Sequence, residues 1–363
     1  MSLKERFLSY YEKNETKVDA GFFLAGFIFD VFTLADVDDP LSLLQQVVYL
    51  GVVGAILMRA FLVDAGAAPP PLRFHKLWAY QRPAVHFLMG SLLSIYSLFY
   101  LKSASIFTSI IFILVMMVLM VANELKGIQR GGLGIKIALY IICVLSFFSM
   151  LVPVVLGFVG YVPTALAMSF TALVCFGIYR YMARQVTDRA HLKRHLVTPA
   201  AAVLGLFVVF SVVGWIPPVP MAVREMGVYH QIVKESGQYR LYHENPWWKF
   251  WNKGDQEFRA EPGDAIHFFA QVFCPGRFDD SVTLHWQRYD LSRGWETTDR
   301  IPMRVTGGRA GGYRGHALKK NYQDGQWRVM VETTDGRELG RLYVAVTTVP
   351  ASEQSRAFIV ETR

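Results

Sequence analysis

Cysteine is scarce: the chain has three in 363 residues, Cys143, Cys175 and Cys274. The first two fall in apolar runs, where a free thiol packs as a small hydrophobe. The third stands alone in the C-terminal part, so no disulfide can form within that part. Short motifs that carry chemistry are also missing. No HExxH, GxSxG, Walker loop, CxxC or EF-hand loop occurs, and the nine histidines show no metal-ligand spacing. These absences exclude the motif-bearing hydrolases, NTPases, dithiol redox proteins and zinc proteins. No catalytic residue, metal or cofactor is expected. No GxxxG helix-pairing element lies within an apolar run. The nineteen residues before the first apolar run are largely polar and carry no small-residue cleavage site, so an uncleaved anchor is expected.

What the chain does have is long apolar runs in one half only. A membrane-crossing helix needs about 20 mostly apolar residues. Seven runs approach or meet that length: 20–35, 41–63, 84–101, 105–123, 135–158, 161–183 and 196–216. The first is short and the third and fourth share a tight turn, so six spans is the rival count. Basic residues gather on the cytoplasmic side of such proteins. With the N-terminus inside, that side carries Lys4, Arg6, Lys13, Lys17, Arg59, Arg73, Lys76, Arg82, Lys126, Arg130, Lys136, Arg180, Arg184, Arg189, Lys193 and Arg194. The opposite loops carry Lys102 alone. This asymmetry predicts an odd number of crossings of a multi-pass membrane protein, with the N-terminus cytoplasmic and the C-terminal part outside. The net charge of +8 is then chiefly a topology signal that favours contact with membrane lipid. It is not a nucleic-acid footprint, because the basic blocks abut apolar runs rather than cluster on a soluble face.

An ionisable group inside a span marks a candidate functional site. Asp30, with Asp36 near the outer mouth, could form a cation or proton site, which would make the bundle a small-solute or ion transporter or channel. The plainer reading is that Asp30 bonds a neighbouring helix and that Asp39 caps a helix beginning at Pro40.

After Ile216 the sequence alternates with period two, as half-buried strands do. Val282, Leu284 and Trp286 share one face while Thr283, His285 and Gln287 share the other; Trp327, Val329 and Val331 repeat the pattern. Asp335-Gly336 predicts a tight type I′ hairpin. Short strands at this spacing predict an all-β, immunoglobulin-like sandwich of two antiparallel sheets. The expected layout is a cytoplasmic N-terminus at 1–19, seven helices over 20–216, a linker over 217–262, the β-sandwich over 263–348 and a tail over 349–363.

The run Val305–Tyr322, with its glycines, and the following Gly325-Gln-Trp-Arg-Val-Met-Val-Glu-Thr-Thr-Asp-Gly336 resemble the bacterial DUF2914 domain of unknown function. His285, Trp286, Arg314, Lys319, Trp327, Arg328 and Val329 fall on that pattern, although His285 and Trp286 are adjacent where many members separate them by one residue. The resemblance implies an envelope-facing β-domain, often attached to membrane spans, and implies no reaction; with the charge asymmetry it leads to the expectation of a multi-pass bacterial inner-membrane protein with a cytoplasmic N-terminus and a periplasmic C-terminal domain. Trp286, Trp327 and Val329 are expected in the core. His285, Arg314, His316 and Lys319 are either a converging polar site or independent solvated positions.

The stretch Asn245-Pro-Trp-Trp-Lys-Phe-Trp-Asn252 is the densest aromatic segment. For Trp247, Trp248, Phe250 and Trp251 three readings stay open: a rest on the outer lipid leaflet, a platform for envelope sugars, or burial. The expected function is non-catalytic. The helices anchor an outer domain that binds or senses an envelope protein, glycan or other component; the oligomeric state is not specified by the sequence.

Overall fold

The computed structural model describes residues 37–69, 78, 81–124, 132–246, 248, 253–276, 278–306, 312–351 and 356–363. The chain divides into two compact units. The first contains helices α1 (Pro40–Asp64), α2 (Gln81–Ser103), α3 (Ile106–Glu124), α4 (Leu133–Leu156), α5 (Tyr161–Gln185), α6 (Arg189–Leu192) and α7 (Thr198–Val213). The second comprises Ser103–Thr108, Pro153–Tyr161 and Pro217–Arg363.

Helix α1 begins as its sequence dictates. Asp39 is the N-cap, its carboxylate accepting the Ser42 amide at 2.8 Å, and Pro40 fills the first turn, where no amide is needed. Between α6 and α7 the backbone widens into a π-turn at Lys193–Val197. Pro199 lies just beyond it and lacks the amide that would bond back into this turn, and the Thr198 hydroxyl caps the Lys193 carbonyl at 2.9 Å. Gly214, with φ of 77°, closes α7 in the left-handed conformation.

Among the described residues five helices are long and apolar enough to cross a membrane: Pro40–Asp64, Ala84–Ser103, Leu133–Leu156, Tyr161–Gln185 and the continuous Arg189–Val213. Phe107–Met120 is a shorter apolar stretch in α3. The first expected run, 20–35, lies outside the described residues; of the other six, five are the candidates above and one is the shorter apolar helix. The apolar side chains that these helices leave outward, such as Val118 at 64% exposure, Leu173 at 64% and Val212 at 79%, are costly in water and suit a hydrocarbon solvent.

From Pro217 onward the described residues of the second unit are all-β, with eleven strands: β1 (Ala222–Tyr229), β2 (Gln231–Glu235), β3 (Gln238–His243), β4 (Glu257–Ala260), β5 (Ile266–Phe273), β6 (Asp279–Asp290), β7 (Gly294–Thr306), β8 (Tyr313–Lys319), β9 (Gly325–Thr333), β10 (Glu338–Thr348) and β11 (Ile359–Thr362). They form three sheets, ordered β1-β5-β8, β4-β10-β9-β6-β7 and β11-β3-β2. The first two share one core, in which Phe258, Ile266, Phe268, Leu284, Trp286, Trp327, Val329 and Val331 are buried. Trp286 meets Trp327 edge-on at 6.4 Å and Phe268 at 6.0 Å. The named strands pair antiparallel, save that β4 joins β10 in parallel.

Two sequence expectations need correction. The stretch 217–262, read as a linker, contains β1 to β4, and the tail contains β11. Strict alternation fails there because β1 carries a register shift between Val223 and Glu225, and β4 is only four residues long. The β9–β10 turn is not type I′: Gly336 has φ of 83°, but Asp335 is not left-handed. A four-residue connection is closed instead by the Gly336 amide on the Thr333 carbonyl at 2.9 Å and the Thr333 amide on the Arg337 carbonyl at 2.9 Å.

Gly254, just ahead of β4, forms an isolated parallel bridge with Val228 of β1. Its φ is +65°, and an added Cβ would fall 2.2 Å from the Val228 carbonyl oxygen. Gly237, with φ of +81°, has nothing within 4 Å of that position. Gly254→Ala should therefore cost clearly more than Gly237→Ala, which carries only the left-handed penalty of about 1 kcal/mol. Urea unfolding of the full chain, followed by tryptophan fluorescence, measures the difference; equal losses would refute the close-approach account.

Candidate functional site

The outward face of the five-stranded sheet collects the polar residues that the core rejects. Leu284 and Trp286 point inward, so His285 and Gln287 point out. Register sets Met330 opposite His285, Arg328 opposite Gln287 and Glu332 opposite Thr283. The His285 ring therefore reaches diagonally to Glu332, with Nδ1 and Oε1 2.8 Å apart. On the other side its Nε2 lies 2.7 Å from the Thr297 hydroxyl and 3.2 Å from Gln287 Nε2. Arg328 Nε donates to Gln287 Oε1 at 2.5 Å, which turns the Gln287 amide nitrogen toward the imidazole. On this network Nε2 accepts, and Nδ1 carries the proton donated to Glu332. His285 and Glu332 are both buried.

A β-bulge makes this arrangement possible. Trp286 pairs with Asp299 but Gln287 pairs with Thr297, leaving Thr298 as the extra residue on β7. In a regular strand, residues two apart share a face. The bulge breaks that rule, so Thr297 serves the outward network while Asp299 turns to the core side. There Asp299 forms an ion pair with Lys319, whose side chain is 1% exposed. The Lys319 ammonium lies 4.9 Å from the Trp327 ring and 5.5 Å from the Trp286 ring. Thr298 and Asn321 supply further oxygens at 3.4 and 3.3 Å.

Beside the outward network runs an aromatic ribbon. Tyr289 and Trp295 are 5.2 Å apart, Trp295 and Tyr343 5.7 Å, and the Arg328 guanidinium lies 4.4 Å over Trp295. Tyr289 and Tyr343 are exposed. At the near edge, Phe107 meets Tyr343 at 5.7 Å and the Ser105 hydroxyl donates to Glu338.

A second titratable cluster surrounds His230. Its ring stacks on Phe258 at 4.2 Å, and its side chain is 4% exposed. Nδ1 accepts from Arg356 Nη1 at 3.2 Å. Nε2 has no hydrogen-bond partner; it lies 3.6 Å from Asp255 and 3.9 Å from Glu244. Asp255 accepts the amides of Glu244 at 3.0 Å and Asn245 at 2.8 Å. Burial nevertheless pushes its carboxyl up to about 7, and burial together with Arg356 pushes His230 down to about 4.

Trp286, Trp327 and Val329 lie in the core as expected. The four residues raised as a converging polar site are not brought together. His285 belongs to β6 of the five-stranded sheet. Arg314 and His316 lie on the outward face of β8, and Lys319 lies on its inward face. Neither His285 nor Lys319 is solvated. Trp248 is 52% exposed. Trp247, Phe250, Trp251, Asp30 and Asp36 lie outside the described residues. No group of three or more metal-ligating side chains occurs among the described residues. His230, Asp255 and Arg356 were missed by the sequence reading, because no spacing links residues so far apart.

The outward network, the bulge and the tryptophan-lined lysine all fall in one segment of the chain. Residues 279–346 match the DUF2914 family, a protein of unknown function. The family segment thus includes strands β6 to β10 and leaves the helices outside it. No curated protein matches the chain. Among solved structures, an immunoglobulin-like protein from Pseudomonas aeruginosa is similar at 14% identity, covering 35% of this chain and 96% of that one, with a TM-score of 0.21. A β-glucosidase from Listeria innocua in complex with glucose is similar at 13% identity, covering 25% of this chain and 15% of that one, with a TM-score of 0.19.

Proposed function

We propose that the apolar helices anchor a periplasmic β-domain that binds or senses a component of the bacterial envelope, without catalysis. The observation that carries this reading is the outward sheet face of the family segment. It is held rigid by the Glu332–His285–Thr297 network, and beside it the rings of Tyr289, Trp295 and Tyr343 stand next to Arg328. Rigid aromatic planes beside guanidinium groups contribute large contact area at little conformational cost, as binding surfaces do. The placement is supported by the charge asymmetry of the loops. It is supported too by the grouping of Ser103–Thr108 and Pro153–Tyr161, both assigned to the outer side by that asymmetry, with the unit that holds the tail.

Two measurements test the reading. Alkaline phosphatase fused after Arg363 should be active and a fluorescent protein at the same position dark; the reverse pattern overturns the periplasmic placement. A photo-crosslinking residue in place of Tyr289 of the full chain should capture an envelope component, and Trp295→Ala with Tyr343→Ala should lower the yield by about tenfold or more. Capture unchanged by that pair of substitutions would remove this face from the binding site.

A further inference from the structure

Thr297, His285 and Glu332 form a line of hydrogen bonds that runs from solvent into the sheet. Thr297 is exposed, whereas the side chains of His285 and Glu332 are 5% and 11% exposed. The Thr297 hydroxyl lies 2.7 Å from Nε2 of the imidazole, and the Glu332 carboxylate lies 2.8 Å from Nδ1. With the proton held on Nδ1 by Glu332, and the Gln287 amide turned toward the ring by Arg328, the hydroxyl donates to Nε2. A hydroxyl that donates to an imidazole, whose far nitrogen is held by a carboxylate, is the arrangement that activates an oxygen nucleophile. Water alone satisfies an exposed hydroxyl, so burial does not force Thr297 onto the imidazole.

The surroundings suit the negative charge that develops when such an oxygen attacks a carbonyl. Arg300 is paired opposite His285, so its side chain leaves from the same face. It is exposed and has no ion pair among the described residues. The Gln287 amide nitrogen lies 3.3 Å from the Thr297 oxygen. A guanidinium and an amide N–H beside the attacking atom are donors of the kind that stabilise an oxyanion.

We propose that Thr297 is a nucleophile that accepts an acyl group from a carboxylic ester, with His285 as its general base and Glu332 positioning the imidazole. The Thr297 oxygen attacks the ester carbonyl carbon, and its proton passes to His285 Nε2. Collapse of the tetrahedral adduct breaks the bond to the leaving oxygen, which takes the proton back from Nε2. The products are a Thr297 ester and a free alcohol; nothing is oxidised or reduced. A single acylation of the chain is covalent capture, which goes beyond the non-covalent binding proposed above. It does not depend on the side of the membrane on which the β-domain lies.

The experiment treats the purified full chain, in nonionic detergent, with p-nitrophenyl acetate. Absorbance reads the p-nitrophenolate released, and mass spectrometry of peptides reads where the acetyl group sits. Wild type should carry a single acetyl group, as an ester on Thr297. Thr297→Ser should keep that acylation and Thr297→Val should abolish it, while Thr283→Val, on the same face, should leave it unchanged. His285→Gln should slow it about a hundredfold, and Glu332→Gln about tenfold or more. Nitrogen NMR of the His285 ring separates positioning from packing: Nδ1 should carry the proton in wild type and lose that preference in Glu332→Gln. Acetyl groups on other side chains with Thr297 unmodified overturn the proposal. So does an unchanged rate in a His285→Gln protein whose urea midpoint shows it folded. Release of many p-nitrophenolate molecules per chain, lost in Thr297→Val, supports the nucleophile and overturns only the non-catalytic part of the proposed function.

Discussion

Asp299→Ala is expected to destabilise the β unit by about 3 kcal/mol or more, one of the largest effects of any single polar substitution there. The reason is the partner it leaves behind. Lys319 is buried between Trp286 and Trp327, and Asp299 is its carboxylate partner. Removing that carboxylate strands an ammonium whose remaining contacts are two ring faces, Thr298 and Asn321. Cation–π attraction contributes roughly 1–2 kcal/mol when desolvated, well short of the desolvation cost of an unpaired buried charge. Asp299 itself is 26% exposed, so solvent screens part of the pair, and the lower end of the usual 3–5 kcal/mol range for breaking a buried pair applies. Lys319→Met should cost less, because a carboxylate with access to water can solvate itself. Joining Lys319→Met to Asp299→Asn should restore most of the loss, and a double-mutant cycle should give a coupling of about 2 kcal/mol. Urea unfolding monitored by tryptophan fluorescence suits this test, since two of the reporting rings line the site. An Asp299→Ala protein within about 1 kcal/mol of wild type would sink the account. Burial works to raise the Asp299 pKa, but the bonds from Lys319, Thr298 and Asn321 outweigh it, and the group sits below its ordinary value. Its contribution is therefore present above the unfolded value near 3.8 and is lost as the pH falls through the lower folded one.

Much of this architecture was legible because it is periodic. Apolar runs of span length became α1, α2, α4, α5 and the α6–α7 segment, and Asp39-Pro40 became an N-cap followed by a first-turn proline. Period-two alternation placed Leu284, Trp286, Trp327 and Val329 in the core. What escaped was what breaks periodicity. The bulge at Thr298 reverses the faces of Thr297 and Asp299 and has no marker in the local sequence. Alternation along β8 puts Lys319 inside, yet a lysine there reads as surface until Asp299 and two tryptophans are known to surround it. The strands between 217 and 262 are short or irregular and so looked like linker. The His230 cluster draws on residues from 230 to 356, joined only through the tertiary fold.

That cluster should show in the pH dependence of stability as two opposing contributions that mask each other. Asp255 is 2% exposed, and burial raises its carboxyl from 3.8 to about 7. A raised folded pKa contributes stability that is complete below 3.8 and lost as the pH rises through about 7. Burial, then Arg356, lowers His230 from 6.5 to about 4, with Asp264 and Glu261 pulling upward and His267 adding to the depression. A lowered folded pKa contributes stability that is complete above 6.5 and lost as the pH falls through about 4. Between about pH 4 and 6.5 the two slopes have opposite sign, so the wild-type profile should be nearly flat there. Asp255→Asn keeps acceptance of the Glu244 and Asn245 amides through its carbonyl oxygen and leaves His230 alone, so its stability should fall as the pH drops from 6.5 toward 4. His230→Phe keeps the stack on Phe258 and leaves Asp255 alone, so its stability should fall as the pH rises from 4 to 7. Each slope should amount to a few kcal/mol over its window, at about 1.4 kcal/mol for each unit of displacement. Glu244 and Glu261 face the cluster in both variants and set a shared background, so the diagnostic is the difference between the two profiles. Urea midpoints collected every half unit from pH 4 to 7.5 resolve it. Profiles that run parallel in the two variants would show that His230 and Asp255 do not carry opposite shifts.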